Sequence, residues 1–204
     1  MKNPGSIGEH ELQDKFGTSS KASGFYNNQM LSYLNLSMQE YISSQSMVFI
    51  ATSDSKGECD CSFRAGAAGF VKVLSEKSLA YPEYKGNGVW ASLGNIQENP
   101  HIGLIFIDFF KSTIGLHVNG KAKILKNEEI LKNENFAEKL KGDIQVKGGR
   151  KPERWVFIEI EEAYIHCSKH IPLLKKLDKD IHWGTDNEKF KGGDFFKAKN
   201  CDRS

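Results

Sequence analysis

The sequence predicts a mainly β protein, an antiparallel barrel with peripheral helices. Three observations predict it. Six or seven strand-like runs follow one another through the 204 residues. Turn signals separate them at short intervals. They do not alternate regularly with long helices, which argues against a parallel α/β sheet. A chain of this length builds one sizeable core, so a single domain is expected over residues 25–204.

Residues 1–24 are polar and rich in Gly, Ser and Lys, the composition of a flexible or partner-dependent arm. Helical spacing follows over residues 25–46. There Ser37 and Glu40 have the form of a capping box, and Met38, Tyr41 and Ile42 share a face. MVFIATSD is a strand closed by a turn at residues 54–57. ECDCSFRAG alternates, with Cys59, Cys61 and Phe63 on one face and Asp60, Ser62 and Arg64 on the other. The shared face with Phe63 predicts buried thiols. A bend at residues 66–69 leads into FVKVL, a turn, and SLAYP. Residues 83–88 read as a loop and residues 91–98 as a short helix ended by Asn99-Pro100. HIGLIFIDF and IGLHVNGKAKIL read as strands, the second with a bulge at Gly120. Residues 127–140 are charged and helix-prone, residues 142–150 read as a mobile Gly/Lys segment, and WVFIEIEEAYIHCS is a long last strand.

Composition limits the partners. The hydrophobic fraction of 39% and charged fraction of 26% are ordinary for a globular chain, and the formal net charge is +2. Acids and lysines are interspersed, so neither nucleic acid nor a membrane is indicated as a partner. No run approaches ~20 apolar residues and the N-terminus lacks an apolar secretory core, so a cytoplasmic location is expected. The four cysteines, Cys59, Cys61, Cys167 and Cys201, are expected as free thiols.

Several residues carry chemistry. The loop Tyr81-Pro82-Glu83-Tyr84-Lys85-Gly86-Asn87-Gly88 precedes a helix starting near Ser92. Its glycines serve either plain turns or close approach to a ligand, and the helix start favours an anion. Arg64 either clamps a phosphate or pairs with a surface acid. His166-Cys167-Ser168-Lys169-His170 with Cys59 and Cys61 matches no standard metal spacing, and no metal is expected. His117 points away from Leu116 and Val118, as a structural histidine or a cofactor contact. Trp155 and Trp183 either stack on an aromatic ligand or anchor the core.

CSFRAGAAGFVKVL, LAYPEYKGNGVWASLGNIQENPHIGLIFIDF and IGLHVNGKAKIL occur here in the order and spacing of one family. The chain resembles the pyridoxamine 5'-phosphate oxidase-related FMN-binding proteins over residues 25–196, most densely over 49–125. The resemblance implies a six-stranded split β-barrel and a homodimer with FMN across its interface. It puts Ser62, Phe63, Arg64 and Ala65 along the ribityl chain or ring. Tyr81 and Pro82 take the place of the oxidases' tyrosine-threonine contact, with Tyr84 beside them. Gly86, Asn87, Gly88 and Ser92 fall in the phosphate loop, His117 at the ring edge and Lys169 on the late strand. Two departures stand out. The oxidases' Arg-Lys pair is replaced by Asn87-Gly88-Val89, so phosphate charge falls to Arg64 with Lys85 or Lys169. Their C-terminal substrate-binding arginine and histidine have no match.

The resemblance therefore implies an FMN-dependent oxidoreductase for a small molecule, with His117 and His166 as candidates for acid–base work. The alternatives are a flavin carrier or sensor without a dedicated substrate, and a split barrel that binds a deazaflavin or haem, the latter through His166 or His170. A structural dimer with a vacant site is a further alternative.

Overall fold

The computed structural model describes residues 4–200, so the first three residues of the expected arm and the thiol of Cys201 lie outside the described residues. Two helices open the chain, α1 (Ile7–Lys15) and α2 (Ser19–Gln29), followed by a two-residue strand β1 (Met30–Leu31) and helix α3 (Leu36–Ser44). The expected arm is thus helical. Ser6 and Glu9 cap α1 reciprocally, yet neither α1 nor α2 buries a residue. The helix expected over residues 25–46 is broken by β1. Its second half is capped by Asn35, whose side chain accepts from Met38 N at 2.9 Å, and not by Ser37. Ser37 lies inside the first turn, where the backbone is already helical. Ile42 is fully buried and Met38 and Tyr41 pack against the core, as their spacing predicts.

The sheet strands are β2 (Met47–Ser53), β3 (Cys59–Ala65), β4 (Lys72–Ser75), β5 (Ser78–Glu83), β6 (His101–Ile107), β7 (Gly115–Leu125) and β8 (Arg154–His166). Helix α4 (Ala91–Glu98) separates β5 from β6, and α5 (Asn127–Leu131) and α6 (Glu134–Ile144) separate β7 from β8. The single helix expected over residues 127–140 is these two, and α6 runs into the segment expected to be mobile. The strand order is β3-β2-β6-β7-β8-β5-β4, all antiparallel, with β1 also on β8. Among the described residues eight strands stand where six are expected, and hydrogen bonding does not close them into a barrel, because β3 and β4 each have one partner there.

The spine is β8. Along one edge it pairs with β7 from Trp155 to His166. Along the other it pairs first with β5 and then with β1. The expected bulge is present, a register shift between Asn119 and Gly120. Inward side chains, among them Val48, Ile50, Leu104, Phe106, Val118 and Ile158, form the main core. A second cluster around Trp155, Ile130, Leu140 and Leu74 seats α5 and α6 on the outer side of β5 and β8. Trp155 is therefore a core anchor, its indole N–H donating to Asn127 at 3.1 Å.

One expectation about β3 is overturned. Cys59, Cys61 and Phe63 do share a face, but all three are exposed, Phe63 by 51%. The strand lies at the sheet edge, so this face has no layer over it. The inward face is the polar one, Asp60, Ser62 and Arg64, each partly buried.

Candidate functional site

The inward face of β3 meets α4 and the end of β5. Arg64 reaches across to Glu83, donating to one carboxylate oxygen from Nε at 3.1 Å and from Nη2 at 3.0 Å. Its Nη1 donates to the carbonyl of Phe63 at 3.2 Å. Glu83 is 7% exposed, and burial raises its carboxyl above the ordinary range against the opposing pull of Arg64 and Arg154. Beside this pair, the Ser92 hydroxyl donates to Asp60 at 2.7 Å, and Ser62 donates to the same carboxylate oxygen at 3.1 Å. Ser92 stands in the first turn of α4, which places its hydroxyl and the free backbone N–H groups of that turn at the same spot.

These groups line a cleft of about 1030 Å³. Its walls include Ser62, Phe63, Arg64, Ala65, Tyr84, Gly86, Asn87, Gly88 and Ser92, all named from the sequence. Gly88 takes a left-handed φ of +80°, and a Cβ there would meet nothing within 4 Å, so the loop backbone is open to the cleft. Tyr81 and Pro82 do not line it. Both are buried, and among the described residues the Tyr81 hydroxyl has no hydrogen-bond partner, its ionisation suppressed first by burial and then by Glu83. His117, His166 and Lys169 also lie outside the cleft lining. Lys85 is paired with Asp186 rather than aimed into the cleft.

Sequence reasoning missed part of the site. The sequence places Asp60 only on a face of β3 and Glu83 only in a loop. Trp90, at the N-cap of α4, has a left-handed φ of 59° and lies under the Arg154 guanidinium at 4.2 Å. The C-terminal segment supplies Lys179, Asp180, Ile181, His182, Trp183, Lys189 and Phe190 to the cleft. Trp183 meets Tyr84 edge-on at 5.2 Å and Arg150 at 5.7 Å. Trp183 is the one tail residue the sequence singles out, as a stacking candidate; the others carry no local mark, because they reach the cleft only through the fold of a segment without regular strands.

His117 and His166 form a separate constellation. His117 Nε2 and His166 Nδ1 lie 2.9 Å apart, and Tyr164 stacks on His117 at 4.7 Å between ring centroids. Burial first, and then the facing His166, lowers the pKa of His117 below its ordinary value. Among the described residues no group of three or more His, Cys, Asp or Glu is arranged to hold a metal ion. No helix of the described residues is long and apolar enough to cross a membrane.

The sequence profile described as Pyridoxamine 5'-phosphate oxidase matches residues 35–167. No curated protein matches the chain. Similar solved structures include HupZ of Group A Streptococcus, 20% identical, covering 65% of this chain and 93% of that chain with a TM-score of 0.48. HutZ, the heme storage protein from Vibrio cholerae, is 16% identical over 65% of this chain and 94% of that chain, TM-score 0.42. A Clostridium acetobutylicum protein related to general stress protein 26, of the pyridoxinephosphate oxidase family, is 15% identical over 64% of this chain and 86% of that chain, TM-score 0.40.

Proposed function

The chain belongs to the pyridoxamine 5'-phosphate oxidase family, and on that premise we propose that it is a flavoprotein that holds FMN in the cleft between β3, the β5–α4 loop and α4. The observation that carries this reading is the convergence of nine residues, read from three separate stretches of sequence, on one cleft. The donor set fits the group. Tyr84, Trp90 and Trp183 give flat apolar walls for an aromatic ring system. Ser62, Ser92 and Asp60 give a hydroxyl-and-carboxylate network for a polyol chain. Arg64, Lys179 and Lys189, with the first turn of α4, supply positive charge for a phosphate.

The fit carries one condition. Two of the three Arg64 nitrogens already bond Glu83, so a phosphate must share the guanidinium with that carboxylate. The raised carboxyl of Glu83 suits this role, since a protonated Glu83 releases the arginine without stranding a buried charge. When bound, the flavin supplies hydride or electron transfer. The chain's own residues orient the ring, screen it from water and hold the phosphate. His117 and His166 share a hydrogen bond outside this cleft, on the sheet face the partner subunit would cover, and are the candidates to hand a proton to a small substrate across that interface.

The same reading takes the molecule as a homodimer with the flavin near the subunit interface. Support comes from the uncovered outer face, where Phe63, Ala51, Cys61 and Cys59 are exposed and Phe49, Ile105 and Ile107 are half-buried.

The test is the visible spectrum of the purified protein, followed by acid release and mass identification of the chromophore. Released FMN, lost from the Arg64→Ala variant by about tenfold or more in affinity, is the expected result. Colourless protein that takes up no added FMN, or an Arg64→Ala variant with unchanged flavin occupancy, overturns the assignment. A haem or deazaflavin spectrum replaces the ligand.

A further inference from the structure

Two buried polar atoms near Glu83 have no hydrogen-bond partner among the described residues, the Tyr81 hydroxyl and Nε of Arg154. The fold brings both to that carboxyl. Tyr81 and Glu83 are alternate residues of β5, so their side chains share a face. Arg154 is the ladder partner of Glu83 on β8, on the same face, where opposite Cβ atoms lie about 4.5–5.5 Å apart. The electrostatics agree. Burial raises the Glu83 carboxyl while Arg64 and then Arg154 pull it back, and burial and then the Glu83 charge keep the Tyr81 hydroxyl un-ionised.

A buried donor without an acceptor is unfavourable and uncommon in folded proteins. Here two of them flank one carboxyl, whose Oε1 is taken up by Nε and Nη2 of Arg64. Three donor groups around a single acceptor group point to a carboxyl with a second position. We propose that Glu83 is a two-position latch, which holds Arg64 until an anion in the cleft takes that guanidinium, and then turns to Nε of Arg154 and the Tyr81 hydroxyl. Neither Tyr81 nor Arg154 lines the cleft, so both are positioning residues that act through Glu83. The inference rests on the reading that the cleft binds an anion at Arg64.

The two receiving groups are fixed in place. The Trp90 ring lies under the Arg154 guanidinium at 4.2 Å, and the Tyr81 ring is fully buried in the core. The carboxyl turns and the donors stay. The turn exchanges one set of charge-assisted hydrogen bonds for another, so a buried carboxylate is never left unpaired when Arg64 is drawn away. A protonated Glu83 is served as well, because its carbonyl oxygen accepts from the same two donors.

The chain has four arginines, few enough to resolve their Nε–H signals by NMR. The experiment compares these signals in the full chain, flavin-free and then saturated with FMN, with Arg64→Lys and Arg154→Lys as assignments. On binding, the Arg64 signal should move, and the Arg154 signal should shift downfield and exchange more slowly with solvent. Tyr81→Phe removes only the hydroxyl. It should leave the melting temperature of the flavin-free protein unchanged or higher and weaken FMN binding about fivefold or more. In a Glu83→Gln background that loss should shrink. An Arg64 signal that moves while the Arg154 signal does not, or a Tyr81→Phe variant that binds FMN like the parent, overturns the latch and leaves the anion site standing. An Arg64 signal that ignores FMN overturns the anion site with it. If Tyr81→Phe fails to fold, the arginine spectra of the parent decide alone.

Discussion

At the scale of single residues, the Arg64–Glu83 pair makes the site sensitive to pH. Burial raises the Glu83 carboxyl above its ordinary value of 4.5, although Arg64 on β3 and Arg154 on β8 both oppose the rise. The unfolded chain then ionises this carboxyl at a lower pH than the folded chain does. Its contribution to stability is therefore full below about 4.5 and is lost as pH rises through the raised value. Glu83→Gln mimics the protonated form. The melting temperature of that variant relative to the parent should climb as pH rises from about 4 and then level off. A difference that stays flat across this range contradicts the argument. The same substitution removes the charge that holds Nε and Nη2 of Arg64, and titration with FMN should show tighter binding at neutral pH. Arg64 and Ser92 were legible in the sequence because an arginine at a strand end and a serine at a helix start carry meaning by position. Glu83 was not. Its partner sits on a strand that is not its neighbour in the sheet, and no local pattern reports a pairing across 19 residues.

Elements were legible where a backbone rule acts locally. Gly120 marked a bulge because the close approach of β8 leaves no room for a side chain. A Cβ there would stand 2.1 Å from the carbonyl oxygen of Glu159. Gly120→Ala should therefore cost about 3 kcal/mol or more in denaturant unfolding. Gly142 is the contrast. It lies in α6 with nothing within 4 Å of its would-be Cβ, and Gly142→Ala should add about 0.5–1 kcal/mol. Equal effects at the two glycines would remove the steric explanation. Helix starts were less legible. Asn35 and Ser37 both suit an N-cap, and the choice fell to Asn35 through its bond to Met38 N. The split of residues 25–46 also escaped local reasoning, because Met30 and Leu31 are extended only by pairing with Tyr164 and Ala163 of β8.

For the whole molecule, the order of strands decides which face is covered. Alternation along β3 correctly separated two faces, but it could not say which one points inward. The apolar one with Phe63 points outward because β3 is an edge strand. A partner subunit is the proposed cover. The parent chain should run as a dimer in light scattering, and Phe63→Glu should run as a monomer with an unchanged circular dichroism spectrum. A monomeric parent would remove the dimer and leave the face for another role. The cleft itself gathers residues from β3, the β5–α4 loop, α4 and the C-terminal segment. Its chain-distant wall, Lys179 to Phe190, was the least legible part of the site for that reason.

The distribution of tryptophans gives the molecule a built-in optical probe. Of the three, Trp155 is sealed in the core, while Trp90 and Trp183 line the cleft. Core and cleft therefore emit separately: one indole reports whether the chain is folded, and the other two report what occupies the cleft. A ligand in the cleft displaces water from around Trp90 and Trp183 and shifts their emission, while Trp155, sealed from solvent, keeps the emission of the folded core. Occupancy can thus be followed in real time, without a label, on protein whose integrity is read from the same emission spectrum.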